Sequence, residues 1–133
     1  MTVNFSIIVP TYNHAKFLKN AIDSVINQTY ANWELIIVDN FSEDDTFEIV
    51  SSFNDKRISY YNTNKTISMS HNWEFALEKI SEGYVTILGS DDGHIPGTCK
   101  IVNDIIKKRT NINFLINRWL KNPSFVQWVR WVA

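Results

Sequence analysis

The feature that most constrains this chain is the alternation of short, β-branched runs with stretches of helical periodicity. Apolar runs at residues 5–9, 33–38, 58–61 and 84–88 predict buried strands. After each run, apolar residues recur at spacings of three and four, which predicts amphipathic helices. This order indicates an α/β fold, in which a mostly parallel sheet is flanked by helices on both faces.

The four helical stretches have apolar faces that we expect to cover the sheet. Ser42 is the predicted N-cap of the second helix, Gly83 marks the end of the third, and Pro96 suits the first position of the fourth. The apolar positions expected to face inward are Phe17, Leu18, Ala21, Ile22, Val25, Ile26, Phe47, Ile49, Val50, Phe53, Trp73, Ala76, Leu77, Ile80, Ile101, Val102, Ile105 and Ile106.

Composition and charge exclude several classes of protein. The chain has 133 residues, of which 44% are hydrophobic and 20% charged, as expected for one globular domain. Its net charge of −1 gives no electrostatic basis for binding nucleic acid. The single cysteine, Cys99, cannot form an internal disulfide, and no Cys/His spacing typical of zinc occurs. With no secretory signal and no apolar run of about 18 residues, we expect a cytoplasmic protein, either free or peripheral at the inner face of the membrane.

Polar residues follow the first, second and fourth predicted strands, at the point where each strand ends. In doubly wound sheets, ligands bind beyond the carboxyl ends of the strands. We therefore expect these side chains to line one crevice. They are Thr11, Tyr12 and Asn13 after the first strand, Asp39 and Asn40 after the second, and Ser90, Asp91 and Asp92 after the fourth.

The adjacent carboxylates of Asp91 and Asp92 are the sharpest chemical signal. Their mutual repulsion would be offset by Mg²⁺ or Mn²⁺, which prefer oxygen ligands and take further ones from phosphate and water. The alternative is a solvated turn, because Asp and Gly are common turn residues. Asp39 also has two interpretations. Its carboxylate could bind a ribose or a base, or it could cap the backbone of the neighbouring loop.

His71 and Asn72 begin the third predicted helix, and a helix N-terminus attracts phosphate. His71 could add a charged hydrogen bond there, or be an ordinary surface histidine, and the same alternatives apply to His14. No glycine-rich fingerprint follows the first strand, which argues against a dinucleotide-binding dehydrogenase and against a P-loop protein.

Taken in order, several segments resemble family 2 glycosyltransferases of the GT-A fold. They are residues 6–13 (SIIVPTYN), 24–30 (SVINQTY), 34–40 (ELIIVDN) with Ser42 and Asp45-Thr46, His71-Asn72, Gly83-Tyr84-Val85 and 88–92 (LGSDD). The resemblance spans roughly residues 4–108. Asn40-Phe41 departs from the family pattern, because the family more often has an acidic residue and a glycine there. Ser90 is a second departure, because it occupies the first position of the family's acidic, metal-binding D-x-D-type motif.

The resemblance implies a Rossmann-like domain that binds a nucleotide-diphosphate sugar, often a UDP-sugar, for inverting transfer to an acceptor hydroxyl on a glycan, lipid or protein. It implies that Asp92 binds Mn²⁺ or Mg²⁺ and that Asp91 contacts the ribose or the metal-bound diphosphate. The other substrate-binding residues it implies are Pro10, Thr11, Tyr12, Asn13, Asp39, His71 and Asn72. The family's acceptor-binding half and catalytic base lie beyond its metal motif, so we expect them past the last residue of this chain. The alternative is a nucleotide-binding or interaction module without transferase activity.

Two regions follow from this reading: a nucleotide-sugar-binding half-domain at residues 1–110 and a Trp-rich tail at residues 111–133. The tail contains Trp119, Trp128 and Trp131, together with three cations and no acid. Residues 114–116 predict a fifth strand. We expect the remainder of the tail to pack on the sheet, on a second copy or other partner, or on a membrane face.

Overall fold

The computed structural model describes residues 4–80 and 83–108, together with the backbone of residues 114–116 and 128–132. Strands and helices alternate along the first two ranges, and two further strands follow. The elements in order are β1 Phe5–Thr11, α1 Ala15–Ile26, β2 Trp33–Asp39, α2 Thr46–Ser51, β3 Ile58–Asn62, α3 Met69–Leu77, β4 Gly83–Ile87, α4 Thr98–Lys108, β5 Phe114–Ile116 and β6 Trp128–Val132.

The sheet has the strand order β3-β2-β1-β4-β6-β5. The first four strands in sequence pair in parallel with one another, whereas β6 runs antiparallel to β4 and β5. The predicted α/β fold with a mostly parallel sheet is therefore confirmed. The backbone of β5 coincides with the predicted fifth strand, and β6 brings the end of the Trp-rich tail into the sheet.

The core lies on both faces of the sheet, because side chains alternate along β1 and β2. Ile7 and Leu35 belong to one cluster, which includes residues of α1, α2 and α4. Ile8 and Ile36 belong to the other, which includes residues of α3. Strands covered on both faces have no polar side to show, which explains why they are continuous apolar runs in the sequence.

Four residues expected on the inner helical faces are exposed instead. Phe17 is 42% exposed, Phe47 57%, Trp73 37% and Ile101 54%. Each lies on the flank of a helix whose central stripe is already buried, as in α1, where Leu18, Ala21, Ile22 and Val25 face the sheet. Periodicity alone defines a wide apolar face, but the width that the sheet covers depends on how each helix is seated.

Three predicted helix boundaries are also wrong. Ser42 does not cap α2, which begins at Thr46, because the Ser42 hydroxyl bonds to Asp39. The fourth helix begins at Thr98 and not at Pro96. Gly83 opens β4 with φ of +98°, and a Cβ there would lie 2.7 Å from the Asn4 carbonyl oxygen. A close approach of two backbones, and not a helix end, therefore accounts for this glycine.

Among the described residues, no helix is long and apolar enough to cross a membrane. The predicted contact of the Trp-rich tail with a partner or a membrane concerns side chains that lie outside the described residues.

Candidate functional site

Three connections meet at the carboxyl edge of the parallel strands. We call residues 12–14 the first loop, residues 40–45 the second loop and residues 89–92 the acidic turn. Thr11 pairs with Asp39 across β1 and β2, and Asp39 pairs with Asn62 across β2 and β3. The strands therefore end level with each other, and the polar residues that follow them lie along one edge.

The first and second loops are joined by hydrogen bonds through Asn13. The Asn13 N–H donates to Ser42 Oγ at 2.9 Å, and its Oδ1 accepts from the Glu43 N–H at 2.8 Å. Asn13 has a φ of 51°, which asparagine adopts more readily than most residues. Beside it, the Ala15 N–H donates to Asp44 Oδ2 at 2.9 Å, so an acid of the second loop also caps α1.

Asp39 is the buried centre of this arrangement, with only 2% exposure. Its Oδ1 accepts from the Ser42 N–H at 2.9 Å and from the Ser42 hydroxyl at 2.5 Å. Its Oδ2 accepts from the Tyr60 hydroxyl at 2.6 Å and from Asn62 Nδ2 at 3.3 Å. These contacts support the loop-capping alternative for Asp39. Its implied contact with a nucleoside stays a prediction.

Tyr60 and Asn62 were not singled out by the sequence. They are two residues apart on β3, so their side chains share one face of the sheet. Two hydrogen-bonding side chains spaced two residues apart near a strand end are the sequence signal by which Tyr60 and Asn62 could have been found. Burial, together with the hydrogen bond to Asp39, raises the pKa of Tyr60 to about 12, so its hydroxyl remains a donor at neutral pH.

Asn40 and Phe41 show what the departure from the family pattern does. Asn40 Nδ2 donates to the Ile67 carbonyl at 2.8 Å, and its Oδ1 accepts from the Ile67 N–H at 2.9 Å. Asn40 thereby fixes the segment that leads into α3. Phe41 has a φ of 59° and is 47% exposed. A left-handed conformation is rare for a bulky residue, so the backbone at this position favours the glycine that the resemblance leads one to expect.

The two predicted residues of α3 have different environments. His71 is exposed, and its Nδ1 lies 2.8 Å from the hydroxyl of the N-cap residue Ser68. Asn72 is 3% exposed, and its Nδ2 lies 3.5 Å from the Val38 carbonyl oxygen. Asn72 therefore packs against β2 inside the fold, while the His71 side chain remains accessible.

The acidic turn brings two carboxylates together over one glycine. A Cβ built on Gly89 would lie 2.6 Å from Asp92 Oδ2 and 3.1 Å from Asp91 Oδ1. Asp91 is exposed and Asp92 is half-buried. Burial, followed by the neighbouring charge of Asp91, raises the pKa of Asp92 above its usual value. In the part of the chain that the structure describes, neither carboxylate takes part in an ion pair.

Both sides of the acidic turn are attached to other parts of the site. His14 Nδ1 lies 2.7 Å from the hydroxyl of Ser90, which is 5% exposed, so the first loop contacts the turn directly. The sequence pointed to His14 only as a possible phosphate contact. His94 lies just after the acidic turn, on its other side. Burial lowers the pKa of His94 to about 4, so its ring is neutral at neutral pH.

Comparison with known proteins assigns the chain to a family. The model of Glycosyl transferase family 2 matches residues 6–130. The chain belongs to this family. It is 33% identical over 123 residues to the Escherichia coli UDP-Glc:alpha-D-GlcNAc-diphosphoundecaprenol beta-1,3-glucosyltransferase WfgD, covering 91% of this chain and 48% of that protein. It is 35% identical over 117 residues to an uncharacterized glycosyltransferase of Haemophilus influenzae, covering 86% of this chain and 43% of that protein.

The fold of this family 2 glycosyltransferase domain matches solved structures. The crystal structure of S. aureus TarS 1-349 in complex with UDP-GlcNAc superposes with a TM-score of 0.74 at 26% identity, covering 80% of this chain and 32% of that one. The GT-A fold expected from the sequence is confirmed. The chain spans less than half the length of the two relatives named above.

The residues of this glycosyltransferase domain fit a divalent cation as a partial site. Among the described residues, no group of three or more His, Cys, Asp or Glu side chains could enclose a metal ion. Mg²⁺ and Mn²⁺ sites with one or two carboxylates are completed by phosphate and water. Asp91 and Asp92 project into the space over Gly89 that a Cβ would fill, so the acidic turn offers two carboxylates to a site of that kind.

Proposed function

We propose that this chain binds a UDP-sugar together with Mn²⁺ or Mg²⁺ and supplies the donor-binding part of a transferase that acts on an acceptor hydroxyl. One observation carries the proposal: Asp91 and Asp92 converge over Gly89 without an ion-pair partner among the described residues, at the sheet edge where the first and second loops meet. The names of two similar proteins support the nucleotide, since WfgD uses UDP-Glc and TarS was crystallised with UDP-GlcNAc.

The acidic turn would hold the cation, with Asp92 as a ligand and Asp91 as a second ligand or a contact to the ribose. When bound, the cation offsets the negative charge that develops on the leaving diphosphate. Burial and the neighbouring charge of Asp91 both raise the pKa of Asp92, and a cation between the carboxylates would offset the repulsion between them. The turn is thus arranged to bind a charge of the opposite sign.

The first loop would contact the nucleoside. Tyr12 is 48% exposed at this edge, so its ring offers a flat surface to a base. Pro10 is half-buried and Thr11 is buried, which makes them the floor of the pocket rather than its rim. Asp39, although bonded within the protein, would set the position of this surface through Ser42 and Asn13.

Calorimetric titration of UDP, with and without Mn²⁺, tests the proposal. We expect Mn²⁺ to raise the affinity for UDP by about tenfold or more, because the cation would link the carboxylates to the diphosphate. Asp92→Asn should abolish that increase, because it removes the proposed metal ligand. Asp104→Asn is the matched control, since Asp104 on α4 is a half-exposed acid whose ion pair, among the described residues, is with Lys100. UDP binding that ignores Mn²⁺ and tolerates Asp92→Asn would overturn the proposed role of the turn.

Transfer is a separate question from binding. Incubating the chain with radiolabelled UDP-sugars and mixed acceptors distinguishes a transferase from a module that only binds nucleotide. Sugar found on an acceptor supports the transferase, whereas free sugar shows hydrolysis alone. Metal-dependent UDP binding without transfer would support the alternative of a nucleotide-binding module for the chain by itself.

A further inference from the structure

The end of α1 is attached to the segment that follows the acidic turn, and Gln28 is the centre of that attachment. Gln28 is only 8% exposed. Its Nε2 donates to the Ile95 carbonyl at 2.8 Å and to the Ser24 carbonyl at 3.2 Å. Its Oε1 accepts from the Cys99 N–H at 3.0 Å. Both ends of the amide are therefore used, and two of the three bonds cross to residues about seventy positions away.

Two further residues of the same region contact the same segment. Ser24 Oγ accepts from the His94 N–H at 3.0 Å and donates to the Ala21 carbonyl at 2.6 Å. The Thr29 N–H donates to the Pro96 carbonyl at 3.0 Å. Residues 94–99 are thus held by one helix end through backbone groups at four positions.

These contacts bear directly on the carboxylates because the intervening chain is short. Only Gly93 separates Asp92 from His94, whose N–H is bonded to Ser24. A Cβ built on Gly93 would lie 3.5 Å from Ser24 Cβ, so the chain just after the turn runs past α1 with room for little more than one added methyl group. Any shift of residues 94–99 relative to α1 would therefore move Asp92.

The other end of the turn is fixed by different elements. The Leu88 N–H donates to the Ile8 carbonyl at 2.8 Å, which continues the pairing of β4 with β1. His14 contacts Ser90 at 2.7 Å. Asp91 and Asp92 therefore lie between the contacts of Leu88 and Ser90 on one side and the attachment of residues 94–99 to α1 on the other, and their like charges favour separation. Holding both carboxylates over Gly89 requires that neither side moves away.

We propose that Gln28, supported by Ser24, is a positioning residue that holds the acidic turn in the geometry needed to bind the cation. The inference rests on the proposed function, because it assumes that Asp92 and Asp91 bind a metal. Metal ligands have to be held within about half an ångström of the productive geometry by the surrounding hydrogen bonds. Gln28 itself has no part in the chemistry.

The test compares UDP affinity with and without Mn²⁺ in the full chain. Gln28→Met keeps the length of the side chain and removes the three hydrogen bonds. We expect it to reduce the UDP affinity in Mn²⁺ by about tenfold, the usual cost of losing a residue that orients a metal ligand. The affinity without metal should stay within about twofold of wild type. A residue that only stabilises the fold would change the thermal midpoint and leave the response to Mn²⁺ intact.

Ser24→Ala and Ser24→Thr provide a second, milder pair. Ser24→Ala removes the acceptor for the His94 N–H and should reduce the response to Mn²⁺ by about threefold, while Ser24→Thr keeps a hydroxyl and should restore it. This pair decides the question if Gln28→Met does not fold. Asn27→Ala, at an exposed neighbouring position, is the control.

The outcomes separate this inference from the proposed function. A wild-type chain that binds UDP without any response to Mn²⁺ overturns both. A wild-type response that is unchanged in Gln28→Met and in Ser24→Ala overturns the positioning role alone. Equal losses of affinity with and without Mn²⁺ also overturn it, because they would show a general disturbance of the nucleotide site.

Discussion

Asp39 and the acidic turn lie at the same edge of the sheet, yet their carboxylates have opposite environments. Asp39 is buried and accepts four hydrogen bonds from groups of the protein. Asp91 and Asp92 converge on each other without an ion-pair partner in the described residues. A carboxylate whose acceptor positions are filled by the protein stabilises the fold, whereas a like-charged pair costs free energy until a cation binds.

The largest expected effect distinguishes these roles by stability. Asp39→Asn replaces one carboxylate oxygen with an amide NH₂ group. The groups that surround this position already donate hydrogen bonds to Asp39, so the new N–H donors would face other donors. We expect it to lower the free energy of unfolding by about 3 kcal/mol, since unsatisfied buried donors cost about 1–3 kcal/mol each. Urea denaturation followed by circular dichroism measures the change.

Asp92→Asn is the matched comparison, because it makes the same chemical change two strands further along the chain. It removes a repulsion and no hydrogen bond to a described residue, so we expect the stability to be unchanged or slightly higher. Similar losses in Asp39→Asn and Asp92→Asn would contradict the distinction between the two sites.

Gly89→Ala gives the next largest effect, this time on the metal. Gly89 does not have a positive φ, so the backbone accepts alanine, but the added Cβ would occupy the position of the Asp92 carboxylate. The flexible carboxylates should move while the fold persists. We expect about a tenfold loss of UDP affinity in Mn²⁺, equivalent to about 1.4 kcal/mol, with less than 1 kcal/mol of lost stability.

Gly97→Ala is the control for this substitution. A Cβ on Gly97 would meet only Ile101 Cδ1, at an ordinary 3.9 Å, and Gly97 lies on the same connection to α4. It should leave the response to Mn²⁺ intact. If Gly89→Ala retains the full response, the convergence of the two carboxylates over this glycine is not what binds the metal.

The contrast between the two sites also marks what the sequence could predict. The acidic turn was found because both carboxylates are adjacent in sequence and follow an apolar strand. The hydrogen bonds that fill the acceptor positions of Asp39 were not predicted. Two of the donors, Tyr60 and Asn62, reach Asp39 from β3 and lie more than twenty positions further along the chain. Their contact depends on strand register, which periodicity does not specify.

The fold was more predictable than the environment of single side chains. The first two strands are buried on both faces, and their continuous apolar runs left little doubt about their type. Ser42 shows the limit of such predictions. A serine before an acidic stretch predicts an N-cap, but the Ser42 hydroxyl donates instead to the buried carboxylate of Asp39, three residues earlier. Local capping rules do not include such tertiary partners.

The smallest expected effect concerns the donor that Tyr60 provides to Asp39. Tyr60→Phe removes one hydrogen bond to a buried carboxylate, and we expect a loss of about 1 kcal/mol of stability at neutral pH. Tyr61→Phe is the control, since it removes the neighbouring hydroxyl of β3, which has no described bond to Asp39. Urea denaturation of the three proteins at pH 8 gives the difference.

The same pair should respond to alkaline pH in a defined direction. The pKa of Tyr60 is raised to about 12 in the folded chain, against about 10 when unfolded. Below pH 10 the phenol is protonated in both states, and its stabilising contribution is complete. As the pH rises from 10 towards 12, the unfolded chain loses the proton while the folded chain retains it, so this contribution declines. The stability difference between wild type and Tyr60→Phe should therefore narrow over that interval, while the difference between wild type and Tyr61→Phe should change less. A difference that stays constant from pH 8 to pH 11 would show that burial and the hydrogen bond to Asp39 do not raise the Tyr60 pKa in the folded chain.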